Sequence, residues 1–203
     1  AAYPGDNGAW PGLTATLNDL RRAVGVARGG RLAVALLPPL VEVRRLVLPP
    51  LRDAEVTQLL ARNSGRYFVN ARGPQVVGAL GRPDGAGPVL AAAASVRLLS
   101  ALHHAAGEAG WTVASVTPAD AAWGAAATAL WPTFARGPSQ LLVHEKDRTA
   151  LVELRGGQVA NVRRFRGGAA DAELAAEAIV QAVVDGPSAT VGAIGTSGQA
   201  ELR

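Results

Sequence analysis

One polar turn places an imidazole and two carboxylates close together in this sequence, a combination that could do acid–base or metal chemistry. His144, Glu145 and Asp147 fall within four positions, between the apolar runs of QLLVHEKDRTALVEL. An imidazole beside two carboxylates can transfer protons or contribute ligands to a metal. The same residue types also solvate a turn between two strands. Solvation of a turn therefore accounts for these residues without any reaction, and no catalytic residue or metal site is predicted from them.

The other candidate motifs are weaker. His103 and His104 are adjacent on a predicted helix, so they point about 100° apart and cannot share a metal as an i, i+4 pair would. The serines lack a Gly-x-Ser-x-Gly elbow. The loop GRPDGAG has neither the lysine nor the following helix of a phosphate-binding loop. Without cysteine, thiolate chemistry and disulfides are excluded.

The chemistry-bearing turn lies inside a stretch, Gln140–Gly168, that predicts three antiparallel strands. Its apolar, β-branched runs alternate as half-buried strands do, and Gly156-Gly157 supplies a hairpin turn that needs positive φ. A helix is predicted over 169–184, followed by a short strand at Thr190–Ile194. The tail GTSGQAELR is expected to leave the outer edge of that strand uncovered.

Helices and strands also alternate through the rest of the chain. Thr14 is predicted to cap a helix that runs to Val26. Strands at Leu32–Leu37 and Val41–Leu48 are expected to pack together against a helix that starts near Asp53. The remaining elements are strands at 75–80, 88–94 and 111–116 and helices at 95–109 and 118–130. This alternation predicts the α/β class.

Composition and charge limit the classes of partner. With 49% apolar and 18% charged residues, the 203-residue chain can bury a core. Its formal charge of +4 comes mostly from scattered arginines, without the interleaved aromatic residues of many single-strand binders, so nucleic acid is not expected. The basic balance fits an acidic protein or an anionic membrane surface. Partner binding is assigned to the one arginine cluster, Arg163, Arg164 and Arg166; a solvated strand face is the alternative.

The order of these segments resembles the actin-like assembly proteins of type IV pili and type II secretion, the PilM and GspL families. The segments that carry the resemblance are LAVALLPPLVEVRRLVLPPL, RDAEVTQLLARNSGRYF, VLAAAASVRLLSALHHAAGEAGW, TPADAAWGAAATAL and LLVHEKDRTALVELRGGQVANVRRFRGG. The resemblance implies an actin-like (ribonuclease H-like) core at 13–30 and 87–203, with a smaller α/β lobe inserted at 31–86. Residues 1–12 are expected to form an N-terminal arm.

The sequence departs from the nucleotide-binding members of that fold at the phosphate loops. Those members carry an Asp-x-Gly type turn in each half, where the glycine lets backbone amides approach phosphate. The matching stretch here reads His144-Glu145-Lys146. A first-half hairpin should precede Leu13, and little follows the glycine-rich stretch at 195–198, so the chain is expected to be an excerpt or a processed form. No cofactor and no catalysis are therefore expected.

These observations together predict a non-catalytic scaffold subunit of a bacterial membrane-associated assembly, of the pilus or secretion type. Its expected partners are protein subunits of that assembly, and its expected location is cytoplasmic, peripheral to the inner membrane. One alternative is a nucleotide-binding actin-like ATPase whose missing segments lie outside this sequence. Another is an accessory structural subunit of a different membrane protein complex that reuses the fold.

Overall fold

The computed structural model of the protein describes residues 10–69, 73–81, 88–144, 148–166, 190–195 and 198–202. The helices are α1 (Pro11–Val24), α2 (Asp53–Arg62), α3 (Ser64–Tyr67), α4 (Val96–Glu108) and α5 (Ala119–Leu130), with a 3-10 turn at Pro132–Ala135. The strands are β1 (Gly30–Leu36), β2 (Val41–Leu46), β3 (Gln75–Gly81), β4 (Val89–Ser95), β5 (Trp111–Pro118), β6 (Pro138–His144), β7 (Arg148–Arg155), β8 (Gln158–Arg166), β9 (Thr190–Gly195) and β10 (Gly198–Leu202). The α/β class predicted from the alternation is confirmed.

The chain forms two compact units. The first comprises Ala1–Arg44, Leu51–Ala79 and Ala91–Ala119, and the second comprises Arg45–Pro50, Leu80–Leu90 and Asp120–Arg203. The boundaries expected for an inserted lobe at 31–86 remain a prediction.

The core of the first unit forms where helices α1 and α4 meet the parallel pair β1–β5. Leu17, Ala106, Ala109 and Trp111 are buried together there. The indole N–H of Trp111 donates to the carbonyl oxygen of Leu17 at 3.0 Å, so the buried polar atom of the ring has a partner. Gly30 lies opposite Trp111 in the strand register, and a Cβ at Gly30 would stand 2.9 Å from the indole ring. A residue without a side chain is therefore required beneath this ring.

The expectation that the strands at Leu32–Leu37 and Val41–Leu48 pack together is wrong. β1 pairs in parallel with β5, whereas β2 belongs to a separate three-stranded sheet of order β2-β4-β3. The prediction placed two strands together because they are neighbours along the chain. The partner of β1 is instead a strand distant in sequence, and the Trp111 ring occupies the space that Gly30 leaves open.

The second unit contains a five-stranded sheet of order β10-β9-β6-β7-β8. Strands β6, β7 and β8 form the predicted antiparallel meander, which is confirmed. Gly156 and Gly157 join β7 to β8 with φ angles of 56° and 76°, the left-handed backbone that such a two-residue turn needs. Leu141, Leu151 and Val152 are fully buried within the meander. The apolar runs that predicted these strands are therefore core residues.

The far side of the sheet differs from the expectation. The predicted strand at Thr190–Ile194 is confirmed as β9, which pairs in parallel with β6. Its outer edge is not uncovered, since the tail forms β10 and pairs antiparallel to it, with Gly195 opposite Gly198. The helix predicted over 169–184 lies outside the described residues.

Helix α1 begins earlier than predicted. Trp10 is the residue before its first turn and Pro11 is the first helical residue. Proline suits this position because it lacks an N–H that would have no partner and has the φ of a helix. Thr14 is inside the first turn, where its hydroxyl donates to a carboxylate oxygen of Glu108 on α4 at 3.2 Å. Thr14 therefore links two helices and does not cap one.

Candidate partner-binding site

Helix α5 lies against one face of the meander through residues spaced one helical turn apart. Gly124 is at the closest approach: a Cβ there would stand 2.5 Å from the carbonyl oxygen of Gly157 in the β7–β8 turn. One turn later, the hydroxyl of Thr128 stands 2.8 Å from the position of a Cβ on Gly157. This hydroxyl donates to the carbonyl oxygen of Gly124 at 2.7 Å. Small residues on this stripe let the helix backbone contact the hairpin turn.

The first residue of the same stripe, Asp120, forms an ion pair with Arg164 of β8. The carboxylate side chain is 4% exposed and that of Arg164 is 34% exposed. A carboxylate in the first turn of a helix is favoured by the positive end of the helix dipole. Burial of a charge also requires a counter-ion, which Arg164 supplies. The pair fixes the start of α5 to the edge strand of the sheet.

The assignment of Arg164 to partner binding stays a prediction, and the structure adds that this exposed residue already pairs with Asp120. The prediction grouped the neighbouring arginines of this strand into one exposed cluster. Successive residues of a strand point to opposite faces, however, so Arg163 and Arg164 lie in different environments. Arg164 points to the face that α5 covers, where it contacts Asp120.

Arg163 keeps the exposed position that was predicted. Its side chain is 54% exposed and lies 3.2 Å from a carboxylate oxygen of Glu153 on β7. The amide of Asn161 donates to the same oxygen at 3.2 Å. Arg166 ends β8, opposite Arg148, and its side chain lies outside the described residues. The arginine cluster thus divides into a structural residue, an accessible residue and one whose side chain is not described.

Strand β8 forms one end of the five-stranded sheet and pairs with β7 alone among the described strands. The strand is nine residues long. Within the described residues no strand pairs with its outer backbone N–H and C=O groups, and such groups on an open edge can pair with an added strand. The accessible side chain of Arg163 lies on this edge strand.

The polar turn singled out from the sequence connects β6 to β7. His144 is the last residue of β6 and lies opposite Thr149 in the antiparallel pairing of β6 with β7. Glu145, Lys146 and Asp147 lie outside the described residues. Elsewhere, the described part of the chain brings no three histidine, aspartate or glutamate side chains together in a group that could hold a metal ion.

The adjacent histidines of α4 are both exposed, as predicted. The His104 ring lies 3.4 Å from a carboxylate oxygen of Glu108, one helical turn later. An exposed pair of this kind contributes little to stability.

Asp120 is the residue at this site that sequence reasoning missed. The signal was present: an acidic residue directly after Pro118-Ala119, at the start of a helix rich in alanine. A helix that is small and apolar on most sides packs closely, and a charge in its first turn then needs a partner. The sequence could not identify which of the many arginines supplies it.

Comparison with known proteins supports the fold. No family model matches the sequence, and no curated protein matches it. Among solved structures, a chain of the PilM–PilN type IV pilus biogenesis complex superposes with a TM-score of 0.59 at 20% identity, over 84% of this chain and 52% of that one. The cytoplasmic domain of EpsL, an inner membrane component of the type II secretion system of Vibrio cholerae, gives a TM-score of 0.58 at 12% identity. That alignment covers 90% of this chain and 67% of the other.

A protein of unknown function with an actin-like ATPase fold, from Bacteroides thetaiotaomicron, gives a TM-score of 0.50 at 12% identity. The alignment covers 90% of this chain and 67% of the other. The actin-like fold expected from the sequence is confirmed by these likenesses. This chain spans about half the length of the pilus biogenesis chain.

Proposed function

We propose that this protein is a non-catalytic scaffold subunit of a bacterial membrane-associated assembly. The observation that carries the proposal is the fold shared with a chain of the PilM–PilN type IV pilus biogenesis complex and with the cytoplasmic domain of EpsL, an inner membrane component of a type II secretion system. The assembly class is supported by these likenesses, while the absence of catalysis is argued from this chain's own residues.

The phosphate hairpin of the actin-like fold is the part of the molecule where catalysis would have to begin. β6 and β7 form a hairpin at the matching place, and its tip reads His144-Glu145-Lys146 where nucleotide-binding members carry Asp-x-Gly. A side chain at the glycine position blocks the approach of backbone amides to phosphate. Histidine at the acidic position removes the carboxylate that orients metal-bound water.

A protein without a nucleotide site must act through its surface, and the edge of β8 is the surface that fits a protein partner. Its backbone can add a strand, and Arg163 is accessible to a carboxylate on that strand. The proposed partner is an extended acidic segment of a neighbouring subunit. The same proposal places the protein in the cytoplasm, peripheral to the inner membrane. Within the described ranges, no helix is both long and apolar enough to cross a bilayer.

Titration of the purified chain with Mg-ATP in a calorimeter tests the non-catalytic assignment. The expected result is no measurable binding up to millimolar nucleotide, with a known actin-like ATPase as the positive control. A dissociation constant in the micromolar range contradicts the proposal and favours the alternative of a nucleotide-binding ATPase. That alternative has its own support in the likeness to the actin-like ATPase fold protein from Bacteroides thetaiotaomicron.

A further inference from the structure

Helix α1 carries an apolar stripe that is longer than the core it packs against. Leu13 and Leu17, in its first half, pack in the cluster around Trp111. Leu20 and Val24 continue the same stripe at helical spacing. They are 41% and 53% exposed. The second half of the stripe is therefore apolar surface that the first unit leaves open to solvent.

The end of α1 brings a third aliphatic residue to this surface. Gly25 takes a left-handed φ of 66°, and the Val26 N–H donates to the carbonyl oxygen of Arg21 at 3.3 Å, which turns the chain back along the helix. Val26 is 38% exposed. One of its methyl groups lies 2.5 Å from the position of a Cβ on Gly30. The methyl and the Trp111 ring therefore lie over the same glycine.

Two arginines border these aliphatic residues and converge on a single glycine. A Cβ on Gly110 would stand 2.9 Å from a guanidinium nitrogen of Arg21 and 3.0 Å from the Cγ of Arg28. The carbonyl oxygen of Gly110 also accepts a hydrogen bond from the Gly29 N–H at 2.8 Å. Gly29 directly precedes β1, so the two arginines lie close to the end of β1 that Val26 covers. Leu20, Val24, Val26, Arg21 and Arg28 are therefore contiguous, and we name them the helix-end patch.

The two arginines of the helix-end patch have no counter-ion among the described residues. The acidic residue of the same helix end, Asp19, is already bridged to Arg22 at 3.2 Å, and both of those side chains are more than 70% exposed. The patch thus combines exposed aliphatic side chains with two arginines that have no acidic partner in the described part of the chain. It complements a surface that is apolar and anionic.

We propose that the helix-end patch binds an anionic membrane surface. Leucine and valine can enter the region below the lipid headgroups, while guanidinium groups bind lipid phosphates through paired hydrogen bonds. Protein hot spots favour tryptophan and tyrosine and are poor in leucine and valine, so the composition of the patch favours lipid over a protein partner. This inference rests on the peripheral membrane location in the proposed function and assigns it to particular residues.

Co-sedimentation of the purified 203-residue chain with lipid vesicles tests the inference. One set is phosphatidylcholine alone and the other contains 40% phosphatidylglycerol (about physiological charge density for an anionic leaflet). We expect sedimentation with the anionic vesicles, weakening as salt rises. Arg21→Gln with Arg28→Gln should reduce the affinity roughly five-fold per arginine. Leu20→Ser with Val24→Ser should also reduce it, and should abolish any binding that survives high salt.

The matched control is Arg62→Gln with Arg66→Gln, which removes two exposed arginines from α2 and α3. It should sediment like the unsubstituted chain. The inference is overturned by equal binding to both vesicle types, by no binding to either, or by equal losses in the control and the Arg21/Arg28 variant. Circular dichroism of each variant separates a loss of binding from a loss of folding. Tight ATP binding with unchanged vesicle binding would contradict the scaffold proposal alone.

Discussion

At the scale of single residues, the two neighbouring arginines of β8 have opposite roles because they contact carboxylates in different surroundings. Arg164 neutralises Asp120, which is almost completely buried. Arg163 contacts Glu153, which is 30% exposed. Water already solvates the second carboxylate, so its arginine is dispensable for folding. The buried carboxylate of Asp120 is shielded from water, so solvent cannot replace Arg164 as its partner.

Replacement of Arg164 by glutamine should therefore destabilise the protein far more than replacement of Arg163. We expect Arg164→Gln to lower the free energy of unfolding by about 2 kcal/mol. This is less than the 3–5 kcal/mol of a fully buried pair because Arg164 is partly exposed. Arg163→Gln should cost at most about 1 kcal/mol. Urea unfolding followed by circular dichroism measures both. Equal costs would show that the Asp120–Arg164 pair does not stabilise the folded state.

At the scale of elements, the contact between α5 and the β7–β8 turn depends on a glycine within a helix. Glycine in a helix interior ordinarily costs about 1 kcal/mol relative to alanine. Here the missing side chain lets the helix backbone approach the carbonyl oxygen of Gly157. The close approach also brings Asp120 to Arg164, one turn earlier on the same stripe. Local propensity is overridden by tertiary packing.

Gly124→Ala should consequently destabilise the protein, despite the better helix propensity of alanine. The new methyl group would meet the Gly157 carbonyl oxygen at 2.5 Å, and overpacking of this kind costs about 1–3 kcal/mol. Gly107→Ala is the matched control on α4, because nothing lies within 4 Å of its Cβ position. That variant should be neutral or more stable by up to about 1 kcal/mol. Thermal unfolding of the two variants compares them, and stabilisation by Gly124→Ala would disprove the close contact.

At the scale of the whole molecule, the proposed function separates two surfaces with different partners. The edge of β8 is proposed to bind an acidic protein segment, and the helix-end patch a lipid surface. The two predictions are independent, since the residues belong to different compact units.

Charge reversal at Arg163 should weaken recruitment to the assembly without unfolding the chain. We expect tagged Arg163→Glu to recover less of its partner subunits from solubilised native membranes than the unsubstituted chain does, with the largest deficit at low salt and a smaller one as salt screens the charges. Arg62→Glu, at an exposed residue of α2, serves as the control. Unchanged recovery with Arg163→Glu would remove the β8 edge as the partner site.

Elements whose signal is local could be predicted from the sequence. The meander was predictable because alternating β-branched residues and the Gly156-Gly157 turn act within a few positions. Helix α4 was predictable from its apolar spacing, and the actin-like fold from the order of segments.

Tertiary structure alone decided which elements meet. β1 pairs with β5 and not with its neighbour β2, and the pairing sets Gly30 against Trp111, which is distant in the sequence. Arg164 pairs with the buried carboxylate of Asp120 on α5, whereas Arg163 pairs with the more exposed Glu153, and strand periodicity cannot reveal these partners. Whether an apolar stripe is core or surface is decided the same way: Leu17 is buried and Val24 is exposed on one helix. These outcomes depend on contacts between residues that are far apart in the sequence. Such contacts leave no local pattern, so they become visible only in the packed fold.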